Sequence, residues 1–272
     1  MAAVFLLVLV VAGRRSWPLA ALLGLTLGLA VLGNSRLLAL PLVVAGYLLW
    51  QRAGARTVVV VLAVTVLTVT PWVVRNSVVI GCAALTTDSR ALWKANNLNT
   101  YDTLADGKWL DDVPLRGQPP SPQDANREYD KTGQLVRIDE CKQMRDYQRK
   151  TLQFWRDYPG EKVKLAAQAI RMLWDPRPTL TDGGTAEGGH RALRTWSEAL
   201  WALPVFILAA FGLRSVSRRF LVLALLFLGY ETVMAAVFAG ATRYRVAWDF
   251  VLALLAAAAL DRMLAHRAKA AR

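Results

Sequence analysis

The sequence predicts a mainly α, polytopic helical membrane protein, with about six to seven membrane helices or half-helices and one extracytoplasmic domain of helices and irregular chain. Three observations predict it. The chain has 272 residues, 55% of them hydrophobic, and these fall in blocks instead of being spread evenly. Trp17, Trp50, Trp72, Trp201 and Trp248 stand near the block ends, where indole suits a membrane interface. The basic residues crowd into the short connections between blocks.

The blocks run roughly over 2–12, 18–33, 37–50, 57–74, 199–213, 220–239 and 246–260. Block 2–12 resembles a signal-peptide core, but Arg14 and Arg15 follow it without a small-residue cleavage site, so it reads as the truncated end of a membrane helix. Blocks 18–33 and 37–50 rise only about 24 and 21 Å, against roughly 30 Å of hydrocarbon. Whether they cross or form a re-entrant pair, together they change the parity of the topology by an even number. No period of roughly 20 to 50 residues recurs, which excludes a repeat architecture. Three parts follow: membrane helices over 1–75, an extracytoplasmic domain over 76–198, and three membrane helices with a basic tail over 199–272.

The net charge is +13, which raises the question of nucleic acid. Segment 76–198 holds 18 Lys/Arg and 17 Asp/Glu, leaving 15 basic and 3 acidic residues for the rest. "GRR", "QRAGAR", "RSVSRR" and "DRMLAHRAKAAR" alternate with connections poorer in charge. Basic short connections face the cytoplasm, so the charge reports topology and nucleic acid is excluded as a partner. Block 57–74 then runs outward, 76–198 lies outside, "GATRYR" lies outside, and the carboxy terminus is cytoplasmic. The localisation is a multi-pass cell-membrane protein, with membrane lipids as partners.

In the outer segment, 77–130 is rich in Asn, Asp, Gly and Pro, including "RGQPPSPQD", and reads as irregular loop. From Asp139 the pattern turns helical, with Cys141, Met144, Gln148, Leu152 and Trp155 on one face, and "YPG" ends that helix. A second helix from Glu161 places Val163, Ala166, Ile170, Leu173 and Trp174 together, with Lys162, Lys164 and Arg171 elsewhere. It lies in the interface or packs on a neighbour. "WDPRP" stops it, and "TDGGTAEGGH" follows as loop. Asp182, Glu187 and His190 in that loop stand among four glycines, which makes a poor metal cage. Both cysteines, Cys82 and Cys141, lie in this segment. They form a disulfide if the compartment is oxidising, or remain two reduced thiols.

"TPWVVRNSVVIG" at 70–81, "TTDSRALWKANN" at 86–97 and "RYR" before the last block occur in that order. Together with the Leu-rich "LGLAVLGNSRLLALP" and the helical "YPGEKVKLAAQAIRMLW", they resemble the polyprenyl-phosphate-sugar-dependent glycosyltransferases of the GT-C fold. The likeness is to the dolichyl-phosphate-mannose protein mannosyltransferases and bacterial aminoarabinose transferases, glycosyltransferase families 39 and 83. It covers Pro71, Trp72, Arg75, Asn76, Gly81, Thr86, Trp93, Asn96, Asn97, Arg243, Tyr244 and Arg245, with Arg36 at the arginine of the earlier pair. Ala247 and Phe250 stand where members carry proline. The resemblance implies a carboxy-terminal part, because the family's catalytic acid sits in a first outer loop that this chain lacks.

The resemblance further implies a polyprenyl-phosphate-linked sugar as donor, transferred to an extracytoplasmic acceptor. Arg75, Arg243, Arg245 and Arg36 would hold the donor phosphate, whose oxygens suit guanidinium forks. Trp93, Asn96, Asn97 and Tyr244 would shape the outer site, with Tyr101 a further surface for a sugar. For the outer-rim arginines the plain reading is snorkelling toward head groups. Residues two apart do not share a helix face, so Arg243 and Arg245 reach one anion together only if "ATRYR" is extended. If it is helical, one binds and the other packs or pairs with Asp249. Inverting transfer needs a carboxylate to take the acceptor's proton; outside the outer segment the acids are Glu231, Asp249 and Asp261. Asp249 reads as Arg245's partner, and Glu231 as a group turned into the bundle. Asp88, Asp102, Asp106, Asp111 and Asp112 read as surface charges.

No cofactor is identified, no catalytic residue is assigned, and a divalent metal is compatible with the chemistry but has no ligand pattern behind it. Two other classes compete. One is a non-catalytic membrane subunit or scaffold that binds a lipid-linked phosphate or a partner chain supplying the missing helices. The other is a transporter, which needs broken helices and midplane polarity that the blocks hold little of.

Overall fold

A computed structural model describes residues 1–14, 16–87, 89–114, 127–129, 135–177 and 189–270. Among them the chain is mainly helical. Two helices, Ala55–Val79 and Arg218–Val237, are long and apolar enough to cross a membrane, and Ala2–Arg14, Trp17–Gly33, Ser35–Trp50 and Trp196–Gly212 are shorter apolar helices. Contacts divide the chain into two compact units. The first comprises Met1–Thr68, Met172–Val233 and Ala241–Arg272, and the second Val69–Arg171 and Met234–Gly240.

In the first unit, α1 (Ala2–Arg14) and α2 (Trp17–Gly33) are separated by a break at which Pro18 opens α2, where the missing N–H of proline costs nothing. A 3₁₀ turn over Ser35–Leu37, capped by the Asn34 carboxamide accepting from Arg36 N at 3.1 Å, leads into α3 (Leu40–Trp50). The α3–α4 connection is tight. The Ala53 N–H donates to Leu48 O at 3.0 Å and the Arg52 N–H to Leu49 O at 2.9 Å, with Arg52 at φ 55°. This is the double-bonded helix stop that usually places glycine at the left-handed position. α4 (Ala55–Val79) opens in this unit and meets α2 across glycines: a Cβ on Gly24 would press on Val61 O and one on Gly28 on the Thr68 side chain. The Thr65 hydroxyl uses that closeness, donating to Gly24 O at 3.0 Å as well as to Val61 O at 2.8 Å, as small-residue helix contacts in membranes do.

The later elements of this unit are α9 (Gly189–Gly212), α10 (Arg218–Val237), α11 (Thr242–Val246) and α12 (Asp249–Ala270). Gly212 lets α9 reach the backbone of Leu255 on α12, leaving no space for a Cβ. The fully buried Phe5 of α1 holds the interior together, with edge-on rings at 5.3 Å to Phe220, 5.1 Å to Phe227 and 5.5 Å to Phe250. Such aromatic pairs add about 1 kcal/mol each beyond area burial.

The second unit holds α5 (Arg90–Lys94), α6 (Thr100–Ala105), a 3₁₀ turn at Leu110–Asp112, a β1–β2 hairpin (Arg127–Tyr129 and Leu135–Ile138, antiparallel), α7 (Glu140–Asp157) and most of α8 (Pro159–Trp174). The Cys82–Cys141 disulfide, with Cα atoms 6.0 Å apart, ties the chain after α4 to the start of α7. Trp93, Tyr147, Phe154 and Leu165 form its apolar centre.

Several expectations shift. Block 57–74 becomes a helix that runs on to Val79, because Val78 and Val79 extend it until Gly81, at φ 82°, turns the chain. The last block begins with a separate short helix, α11, before α12 starts at Asp249. Segment 77–130 is not all loop, since α5, α6 and a strand lie in it; the Pro-rich stretch and Asp88 lie outside the described residues. "YPG" joins two helices, with Tyr158 capping α7 and Pro159 opening α8. The buried faces are rotated too. α7 buries Cys141, Tyr147, Thr151 and Phe154 while Leu152 is exposed, and α8 buries Leu165, Ala169 and Leu173 while Val163 is exposed. The disulfide sets the roll of α7 and the aromatic centre completes it, which outweighs the simple apolar tally. Asp182 and Glu187 lie outside the described residues, and so does the side chain of His190.

Candidate functional site

α11 is helical, so its two arginines point to different surroundings. Arg245 is buried. Its Nε donates to Asp249 Oδ1 at 3.0 Å and its Nη1 to Leu173 O at 3.0 Å and Asp175 O at 2.9 Å, with Cζ 4.9 Å from the Phe206 ring centre. Leu173 is in the last turn of α8, where carbonyls lack intrahelical partners and the helix dipole favours a cation. Every direction of this guanidinium but its remaining amino group is thus engaged by the fold.

Arg243 is exposed. Its Nη2 lies 3.4 Å from Tyr244 Oη and its Cζ 5.1 Å from the Tyr244 ring centre. The half-buried Arg36 comes to the same tyrosine from the turn between α2 and α3, with Cζ 4.0 Å from the ring centre. Two guanidiniums therefore gather on one phenol ring, within cation–π range. Tyr230 on α10 fixes the turn by donating its hydroxyl to Arg36 O. Next to it the buried Glu231 accepts from the Trp248 indole and lies in electrostatic range of Arg36, as does Arg243. Trp248 packs between Phe227 at 5.6 Å and Tyr230 at 6.0 Å. One buried acid thus stands beside a doubly cationic cluster, and the positive charge of that cluster suits an anion.

On the other side of α11, a cavity of about 570 Å³ opens beside the Arg245–Asp249 pair. Trp201, Val205 and Phe206 of α9 and Val246 and Phe250 form much of its apolar wall.

In the second unit, the exposed Arg75 donates from Nη1 to Asn76 Oδ1 at 2.9 Å and stands 5.0 Å from the Trp72 ring centre. Trp72 Nε1 donates to Leu85 O at 2.9 Å and Asn76 Nδ2 to Ala84 O at 2.8 Å, so this motif folds the chain after α4 back on the helix. Trp93, Lys94, Asn96 and Asn97 are buried. Lys94 Nζ donates to Asp111 O at 2.6 Å and Asn97 Nδ2 to Trp93 O at 3.0 Å. Asn96 is a hub: Nδ2 donates to Leu92 O at 2.7 Å and Val237 O at 3.0 Å, while Oδ1 accepts from Trp155 Nε1 at 2.8 Å and Lys162 Nζ at 2.6 Å.

Lys162 is a residue the sequence sets away from the apolar face of its helix. Instead its Nζ turns inward and also donates to Ala236 O at 2.7 Å and Val237 O at 3.3 Å, the last carbonyls of α10. Burial lowers its pKa to about 8. Its neighbour Lys164 does face outward, 3.9 Å from the Tyr101 ring centre. The one sequence signal for Lys162 was its position a turn before Leu165, three residues from the buried stripe.

Among the described residues no three His, Cys, Asp or Glu side chains gather in a way that could hold a metal ion. No protein-family model matches the chain, and neither curated proteins nor solved structures match it.

Proposed function

We propose that the chain is the carboxy-terminal part of a GT-C membrane glycosyltransferase, in which Arg36 and Arg243 hold the phosphate of a polyprenyl-phosphate-linked sugar. The observation that carries this reading is the convergence of those two guanidiniums on Tyr244. Guanidinium forks pair bidentately with phosphate oxygens, and both forks stand against the Tyr244 ring. Arg245 then acts on this phosphate indirectly: it anchors α11, so that Arg243 starts from a fixed backbone. The family likeness also assigns Arg75 a donor contact and Trp93, Asn96 and Asn97 the shaping of the outer site. In this reading segment 76–198 is extracytoplasmic in a multi-pass membrane protein.

A non-catalytic subunit that binds the same lipid-linked phosphate is the second reading. It is favoured by the engagement of the carboxylates near the cluster, Glu231 by Trp248 and Asp249 by Arg245. Binding of a polyprenyl phosphate to the full chain in zwitterionic nanodiscs tests the shared claim. Arg36→Gln or Arg243→Gln is expected to weaken it by roughly 10- to 100-fold, the range for hydrogen bonds to charged groups. Unchanged affinity in both variants would remove the phosphate assignment. Sugar transfer by the chain together with a partner supplying an acidic outer loop separates the enzyme from the subunit.

A further inference from the structure

Six of the arginines that the phosphate reading leaves unused lie together. Arg52 and Arg56 flank the α3–α4 turn, Arg214, Arg218 and Arg219 lie at the α9–α10 turn, and Arg262 lies on α12. All six are exposed. Three contacts bring them to one end of the first unit. Tyr47 Oη on α3 donates to Arg219 O at 3.0 Å, Arg218 Cζ stands 5.9 Å from the Trp50 ring centre, and Arg262 Nη1 donates to Arg214 O at 2.9 Å. Among the described residues none of the six makes an ion pair. The stretches that carry them contain one acid, Asp261.

Two more features belong to this end. Arg52 occupies the left-handed position of a helix stop that favours glycine, so a charged side chain is kept where the backbone would be easier without it. α12 continues past Leu260 as a fully exposed helix, with Leu260, Met263 and Leu264 on its surface beside Arg262 and Arg267. Exposed apolar and basic residues on one helix suit the boundary between acyl chains and head groups. Trp50, also exposed, adds an interfacial indole beside Arg218.

We propose that this arginine-ringed end is a docking surface for anionic phospholipid head groups, with the α12 extension lying at the head-group level. The occupant follows from charge complementarity. A zwitterionic surface gives six guanidiniums that make no ion pair among the described residues nothing to neutralise them, whereas an anionic leaflet makes each basic residue near it worth about fivefold in affinity. The proposal rests on the chain being membrane-embedded and not on any transfer chemistry. A selective lipid surface would be equally present in an enzyme, a subunit or a transporter.

The test is lipid retention by the full chain, purified in mixed micelles of phosphatidylglycerol and phosphatidylcholine at equal mole fraction and counted by native mass spectrometry. The wild type is expected to retain phosphatidylglycerol over phosphatidylcholine by about tenfold. Arg218→Gln with Arg219→Gln, and separately Arg52→Gln with Arg56→Gln, are each expected to cut that preference several-fold. The matching lysine pairs keep it, because a surface field needs charge and not fork geometry. Among the described residues neither pair makes a side-chain hydrogen bond, and failure of one to fold leaves the other, at a different turn, to decide. Equal retention of the two lipids by the wild type overturns the proposal. So does an unchanged preference in both glutamine pairs, or displacement of the retained lipid by millimolar inorganic phosphate, which would mark a free-anion site. Loss of polyprenyl-phosphate binding in Arg243→Gln with anionic-lipid preference intact supports both assignments separately.

Discussion

Arg243 and Arg245 are two residues apart, yet their replacement should fail in opposite ways. Arg245→Gln removes three hydrogen bonds from a buried guanidinium, to Asp249, Leu173 O and Asp175 O. Breaking a buried charged pair costs roughly 3–5 kcal/mol. The Asp249 side chain is 38% exposed, so water takes over part of its lost partner, and the lower end, about 3 kcal/mol, applies. For a chain of this size that is roughly 6–12 °C in melting temperature. Arg243→Gln exchanges an exposed side chain and should stay within about 0.5 kcal/mol, or roughly 2 °C. The assays are thermal unfolding of the purified chain in detergent and polyprenyl-phosphate binding in nanodiscs. Binding measured below both transitions should fall at least about tenfold for Arg243→Gln. For Arg245→Gln it should fall less than the loss of stability would suggest. The reasoning is refuted if Arg245→Gln melts with the wild type while losing phosphate affinity, because the guanidinium would then be reaching the ligand and not the carbonyls of α8.

The disulfide closes a span of 59 residues between Cys82 and Cys141, for which loop-closure entropy gives about 4 kcal/mol. Cys82→Ser is expected to lower the unfolding free energy by about 2–4 kcal/mol, read as a lower melting temperature that dithiothreitol no longer changes; a reductant-insensitive wild type would contradict it. Gly212→Ala sets a Cβ against Leu255 O and should destabilise by about 2–3 kcal/mol, while Gly46→Ala, with open space around it, should be neutral or slightly stabilising. Equal melting temperatures of the two variants would show that α9 and α12 do not meet there. Lys162 titrates near 8 when folded, against an ordinary 10.5. The folded state therefore disfavours its proton, and its contribution to stability rises as pH increases from about 8 to 10.5. The difference in melting temperature between wild type and Lys162→Met should change in that direction over this window, and a flat difference would show that the amine keeps its proton in the fold.

What sequence patterning could reach here was whatever depends on neighbours along the chain. The apolar runs became helices close to their expected places, and two of them, Ala55–Val79 and Arg218–Val237, have the length and composition to cross a membrane. Helix starts at Pro18 and Asp139 also followed from local chemistry, since proline and an Asp cap act within a turn, whereas Pro159 lies in the "YPG" expected to end a helix and instead opens α8. The rolls of α7 and α8 could not be read in the same way. An apolar count makes Leu152 and Val163 as good core candidates as Tyr147 and Leu165. The choice depends on Trp93 and Phe154 meeting across more than 50 residues, and on Cys141 being tied to Cys82. The hairpin was missed because seven strand residues are too few to show a period.

Lys162 and Arg245 were misjudged or left open for the same physical reason. Each is a cation turned inward by backbone carbonyls at a helix end, Lys162 by Ala236 and Val237 on α10, and Arg245 by Leu173 on α8. Side-chain chemistry in the sequence announces carboxylates as partners for cations. It says nothing of carbonyls, which every residue has and which become strong acceptors only where a helix stops. Asp249 was visible as Arg245's partner because it is four residues away, but the ion pair alone would not have buried the guanidinium. The Leu173 and Asp175 carbonyls, about 70 residues distant along the chain, draw Arg245 in and so leave Arg243 and Arg36 as the accessible pair on Tyr244. A helical "TRYR" therefore separates an arginine that the fold engages from one that stays exposed, and which is which is decided by where a helix distant in sequence happens to end.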